Sequence, residues 1–441
     1  MAQPKHVDKL GIRPPVEDVL EWFRSAGFTE EIVGESIQKR NLILFHQTIQ
    51  PKRRSSSSTK SDGNDAAPTP NNNTRKTILF MSLVHGNEPL GLINLLQTAE
   101  ALTAHRAQNL FSLALKEGEE LLLLFFPIVN VDAYALNQKF SQSEEMGGCR
   151  RTNLNHTCSS SSINATTACP ELTDDGVDLN RNFPLDWDDS SFERGEAGDD
   201  NDDGVHCTYG YAGYQPFSEP ETRAIQGVVE KYSPIDASIS YHSRANSNQG
   251  LLIHPFAIDV YHEYKSKDSK LRIQQFGESM NPKKGFNFWG GREYFPDVYV
   301  VGNAKNAIHY TARGTALDWL YTKGNVSTPF VHESGTPCDR RWCSSRHEQI
   351  VKNNARIYAE AGVTLVELVL DVKHPRSHFI SVFLASLVII VSVFIAFHGN
   401  NPLLRLLRKR LNASWNGTGR QCFGRRYSSP QRNVEMKPLI L

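Results

Sequence analysis

His85 and Glu88, three positions apart in His85-Gly86-Asn87-Glu88, are two side chains able to face one cation. An apolar run (Leu79, Phe80, Met81, Leu83, Val84) precedes them and reads as a buried strand. Pro89 then opens a helix through Leu90, Ile93, Leu95 and Leu96. His242 offers a third ligand, following the alternating apolar positions Ile235, Ala237, Ile239 and Tyr241 of a second predicted strand. Two His and one Glu, with a fourth position open to water, form the ligand set of a catalytic zinc. Such a zinc lowers the pKa of its water to ~7 and polarises a carbonyl oxygen. Glu333, at the end of the short apolar run Pro329-Phe330-Val331, is the candidate general base. Both halves of this site fall at strand ends, where open α/β sheets gather ligands. Taken singly, each residue has a blander reading. H-x-x-E recurs by chance, His242 suits a satisfied strand-end histidine, and Glu333 suits a solvated acid.

An ordered series of motifs resembles the zinc metallocarboxypeptidases of the pancreatic and regulatory type. His85-Gly86-Asn87-Glu88 and Ser240-Tyr241-His242-Ser243 resemble the zinc motifs, and Phe330-Val331-His332-Glu333 resembles the stretch with the catalytic glutamate. Asn130-Val131-Asp132-Ala133-Tyr134, Pro216-Phe217-Ser218-Glu219-Pro220-Glu221-Thr222 and Asp178-Leu179-Asn180-Arg181-Asn182-Phe183 match in order between them. The resemblance implies an α/β fold over residues 16 to 372, with a mixed central sheet flanked by helices. It further implies one Zn2+ held by His85, Glu88 and His242. Asn180 and Arg181 would bind the substrate's terminal carboxylate, for which a guanidinium supplies a planar fork of donors. Arg150, in Cys149-Arg150-Arg151-Thr152-Asn153, would stabilise the oxyanion, and Tyr310, ahead of Trp319, would close over the substrate. Cys149 and Asn153 depart from the family's Trp and last Arg, which loosens the register at Arg150.

Leu317 and Ala257 stand where different branches of the family place an acid to select basic residues. Neither is acidic here, so the expected preference is neutral or apolar. Arg313 and Lys305, near the expected pocket, pull instead towards acidic side chains. Two other readings belong to different classes: an aspartoacylase-like amidohydrolase, sharing His-Gly-Asn-Glu and Asp-Leu-Asn-Arg, and a non-catalytic peptide-binding module.

The 441 residues carry 48 basic and 48 acidic side chains and are 39% hydrophobic, enough for one large core and with no charge excess to suit nucleic acid. Pro51 to Thr74 and the acidic stretch 186 to 206 read as low-complexity inserts. Asp199-x-Asn201-x-Asp203-Gly204 begins like a calcium loop but has Gly210 at its twelfth position. We expect that acidic stretch to overhang the cleft and draw in basic peptides. Phe379 to Phe397 holds no charge and is just long enough to span a bilayer. Arg405, Arg408, Lys409 and Arg410 follow it, placing the tail 398 to 441 in the cytosol and the preceding domain outside or in a lumen. Six cysteines before this span (Cys338 and Cys343 close enough for a small loop) and the sequons at Asn155, Asn164 and Asn325 agree with that side. Asn412 and Asn416 match the sequon in the tail and oppose it. Met1 to Leu10 has no apolar signal core, so either the natural start lies upstream, the preferred expectation, or insertion relies on the C-terminal span, which would leave the enzyme facing the cytosol.

Overall fold

The structure is a computed structural model that describes residues 6–52, 74–141, 150–155, 176–187, 210–244, 250–257, 264, 266–280, 300–308, 311–335 and 345–372. They all fall in one compact unit, Met1–Val372. Residues 373–441, which hold the expected span Phe379 to Phe397, lie outside the described residues. Among the described residues no helix is long and apolar enough to cross a membrane.

α1 (Val16–Ser25) starts after a proline and buries Val19, Leu20, Trp22 and Phe23 along one stripe. Phe23 stacks on Phe45 with ring centroids 4.6 Å apart, fixing the helix to β2 (Asn41–Ile49), which pairs antiparallel with β1 (Thr29–Glu35). β3 (Thr74–Ser82) and β4 (Glu119–Phe126) start polar and then carry the apolar runs Ile78 to Met81 and Leu121 to Phe126, buried because both sheet faces are covered there. α2 (Pro89–Thr103) and α3 (His105–Ala114) connect them. α4 (Val131–Ser141) follows β4, and α5 (Pro220–Tyr232) leads into β5 (Ile235–Arg244). The rest comprises β6 (Leu251–Ile253), α6 (Lys267–Met280), β7 (Val300–Gly302), α7 (Ala304–Ile308), α8 (Ala316–Thr322), β8 (Val326–Gly335) and α9 (Ser345–Val369).

Among the described residues these strands form one sheet in the order β1-β2-β4-β3-β5-β8-β6-β7. β4, β3, β5 and β8 run parallel, while β2 against β4 and β6 against β8 are antiparallel, so the sheet is mixed as expected. β5 and β8 extend further than the sequence spacing predicts. His242 and Glu333 lie inside their strands rather than after them, and are register partners. Tyr241 and His332, one residue earlier in each strand, are also partners. Tyr241 Oη meets Thr98 of α2 at 2.9 Å, and the His332 ring packs edge-on to Tyr358 of α9. Because side chains alternate along a strand, His242 and Glu333 face the opposite way.

Candidate active site

The carboxyl ends of β3, β5 and β8 lie side by side, and the chain must leave β3 without losing that edge. Leu83 takes a left-handed conformation (φ 51°), a costly one for a side chain with a Cβ. Gly86 follows in a space that admits no side chain: a Cβ there would overlap Ala133 and lie 2.9 Å from the Arg150 carbonyl oxygen. This tight turn, with Gly86 N–H bonded to the Arg151 carbonyl, delivers His85 and Glu88 to the strand edge.

His85, Glu88 and His242 are all buried, and their ligand atoms lie within 4.8 Å of one another. The two Nδ1 atoms are 3.1 Å apart, and Glu88 offers one oxygen to each, at 2.9 Å from His85 and 2.8 Å from His242. At most one of two facing imidazole nitrogens can donate to the other, so the cluster suits a shared cation better than mutual hydrogen bonds. Tetrahedral zinc bonds of about 2.0–2.1 Å separate their donors by roughly 3.3 Å, close to the spacing found here. The donor set therefore fits zinc. The outer nitrogens are occupied too: His85 Nε2 meets Asp178 Oδ1 at 3.1 Å, and His242 Nε2 meets Ser240 Oγ at 3.1 Å. Such outer partners orient ligating imidazoles.

Burial alone would push the Glu88 carboxyl up. The charges of His85 and His242 outweigh it and hold Glu88 well below the usual carboxylate range. Burial likewise opposes ionisation of Asp178, and Arg151 and His85 overcome it. For the half-buried Glu333 the balance reverses: burial and the neighbouring Glu88 charge raise its pKa, towards the range useful to a base. A bound dication would draw it down again.

The two adjacent arginines make different contacts. Arg150, expected at the oxyanion, is 3% exposed, and its Nη2 donates to the Asn153 carbonyl at 2.5 Å. Arg151 bonds the acids of the histidine cluster. Its Nε reaches Asp178 Oδ2 at 3.0 Å and its Nη1 reaches Glu88 Oε1 at 3.3 Å. Adjacent residues of a non-helical segment diverge, and two neighbouring arginines give no sequence cue to which one faces in. Asp178 was also missed as a site residue. Its position two residues before Asn180 is the available signal, because its carboxylate accepts from Asn180 N–H and so caps the short turn Leu179–Arg181.

That turn presents the other expected pair. Asn180 Oδ1 accepts from Ala316 N–H at 3.0 Å, which leaves the amide's donor end for an anion. Arg181 is half-buried, and its Nη1 donates to the Asn180 carbonyl. Phe183 N–H bonds the Gly314 carbonyl, tying this turn to the segment that leads into Leu317. Leu317 and Ala257 belong to one small apolar cluster with Ile253, Ala304, Ala312 and Val331, and Val331 lies two residues before Glu333 on β8. Asp318, the acid beside Leu317, accepts the Ala257 N–H with both oxygens. Lys305 is exposed, whereas its α7 neighbours Ala304 and Ala307 turn into the cluster. Tyr310, the cysteines and the acidic stretch beyond Trp187 lie outside the described residues.

The zinc carboxypeptidase family pattern matches residues 26–353. The chain belongs to the zinc carboxypeptidase family. It is 28% identical over 159 residues to zinc carboxypeptidase A 1 of Anopheles gambiae, covering 36% of this chain and 31% of that protein. It is 26% identical over 202 residues to mast cell carboxypeptidase A of Mus musculus, covering 45% and 37%. These matches thus span about a third of each relative. The fold is similar to carboxypeptidase A from Helicoverpa armigera (TM-score 0.53, 16% identity, 83% of this chain and 75% of that one). It is equally similar to bovine thrombin-activatable fibrinolysis inhibitor, solved in complex with tick carboxypeptidase inhibitor (TM-score 0.53, 18% identity, 83% and 100%). The family uses zinc, and the buried His-Glu-His cluster is consistent with zinc binding.

Proposed function

We propose that this zinc carboxypeptidase relative is an active metallocarboxypeptidase that hydrolyses the last peptide bond of peptides or proteins and releases one amino acid. The observation that carries this is the convergence of His85, Glu88 and His242 beside Glu333 at one sheet edge, on a chain of that family. Zinc at that cluster would supply Lewis acidity towards the scissile carbonyl and acidify a water.

The chain's own groups do the rest. Glu333 takes the proton of the attacking water and passes it to the leaving amine. Arg151, held by Asp178, offers its guanidinium to the developing oxyanion, the role the sequence assigned to Arg150. Asn180 and Arg181 bind the terminal carboxylate, and Tyr310 closes over it. Leu317, Ala257 and their apolar neighbours receive the terminal side chain, which favours an apolar residue. Asp318 is already engaged by the Ala257 backbone, which leaves it poorly placed to select a basic one.

Residues 379–397 anchor the chain in a bilayer, with the catalytic unit on the extracellular or luminal side. Of the sequons there, Asn325 is exposed on a turn, whereas Asn155 Nδ2 is bonded to both Glu219 oxygens. We expect glycosylation at Asn325 rather than at Asn155.

The test is hydrolysis of blocked dipeptides ending in Phe, Leu, Arg or Glu, alongside N-acyl amino acids, with and without chelator. Fastest release of Phe or Leu, abolished by chelator and by Glu333→Gln, is expected. Cleavage of N-acyl amino acids alone would move the chain to the amidohydrolase reading. Inactivity on everything would favour a binding module.

A further inference from the structure

The two candidate histidine ligands have unlike outer partners. His85 Nε2 faces a carboxylate, Asp178, whereas His242 Nε2 faces the neutral hydroxyl of Ser240 at 3.1 Å. Ser240 is 3% exposed and sits two residues before His242 on β5, hence on the same face of the strand. With Nδ1 of His242 turned to Glu88 and His85, the ring proton belongs on Nε2, and Ser240 Oγ is the acceptor placed to receive it. The His242 backbone is anchored separately. Its carbonyl accepts from Ser334 Oγ at 3.2 Å, and Ser334 is in turn bonded to Asn94 of α2.

We infer that Ser240 is a positioning residue for the metal centre, fixing the tautomer and ring plane of His242. This rests on the zinc-site reading above. Without Oγ, the buried Nε2–H would have no acceptor among the described residues, and the ring could turn over to offer Nε2 to the cation instead of Nδ1. The backbone, held by Ser334, would stay in place. The deficit therefore belongs to metal binding and not to folding.

The experiment uses the full chain stripped with chelator. Zinc affinity is measured by competition with a chromophoric chelator, the cobalt-substituted spectrum is recorded, and the metal-free protein is melted. Ser240→Ala is expected to weaken zinc binding about tenfold or more, shift the cobalt d–d bands and leave the metal-free melt unchanged, with Ser240→Thr restoring affinity. Wild-type zinc affinity and cobalt spectrum in Ser240→Ala would overturn the inference. So would a lowered metal-free melt in that variant, or a Thr variant as weak as the Ala variant. A wild-type chain that binds neither metal would overturn the zinc-site reading itself.

Discussion

Few side-chain types can ligate a catalytic zinc. His85, Glu88 and His242 stand out because only certain side chains hold zinc. The same reasoning could not separate Arg150 from Arg151, since both carry the right group. In the structure Arg151 bonds Asp178 and Glu88 whereas Arg150 bonds the Asn153 carbonyl, and the proposed division of roles makes a kinetic prediction. Arg151→Ala is expected to lower kcat by about 10²–10³, the usual cost of one oxyanion donor. Arg150→Ala should instead lower the melting temperature through its lost bond to the Asn153 carbonyl, with kcat per folded molecule nearly unchanged. A catalytic loss confined to Arg150→Ala would reverse the assignment. Gly86→Ala puts a Cβ against Ala133 and the Arg150 carbonyl. It should displace the His85 turn and abolish zinc retention, as read by metal analysis of the purified variant.

At the scale of the element, the segment bearing Arg151 is held by an unusual contact. Asn153, where the resembling enzymes carry an arginine, donates to both Glu219 (2.6 Å) and Glu221 (3.2 Å) at the start of α5. Both carboxyl groups are buried without a cation bonded to them among the described residues. Burial pushes the Glu221 carboxyl up to about 7, against the hydrogen bonds that lower it. A folded pKa above the unfolded value of about 4.5 means the folded state binds more protons between those limits. Stability must then fall as pH rises from about 4.5 to 7 and level off above, by on the order of 3 kcal/mol for this group. Glu221→Gln should flatten that part of the stability curve, measured by denaturant unfolding at several pH values; an unaltered slope would show that Glu221 ionises freely.

The start of α2 at Pro89 and the run Leu79 to Met81 of β3 were legible because their signals are local, although Leu83 and Val84 of the expected strand lie beyond its end. The order β1-β2-β4-β3 was not, since pairing of β2 with β4 depends on contacts distant in sequence. Nor were the ends of β5 and β8, where polar residues such as Ser243 and Ser334 continue a ladder for lack of any turn signal.

At the scale of the whole molecule, the metal would tie together β5 and the turn after β3, elements separated by more than a hundred residues. A ligand that binds only the folded state stabilises it by RT ln(1 + [L]/Kd), about 4 kcal/mol at free zinc a thousand times Kd. Chelation should therefore lower the melting temperature by several degrees, and zinc should restore it in wild type but not in His85→Ala. The decisive experiment is the zinc stoichiometry and affinity of the purified chain beside His85→Ala, His242→Ala and Glu333→Gln. One tightly held zinc is expected in wild type and in Glu333→Gln, with loss of that zinc in both histidine variants. Wild type without zinc, or histidine variants that keep it, would rule out a metal centre at these residues.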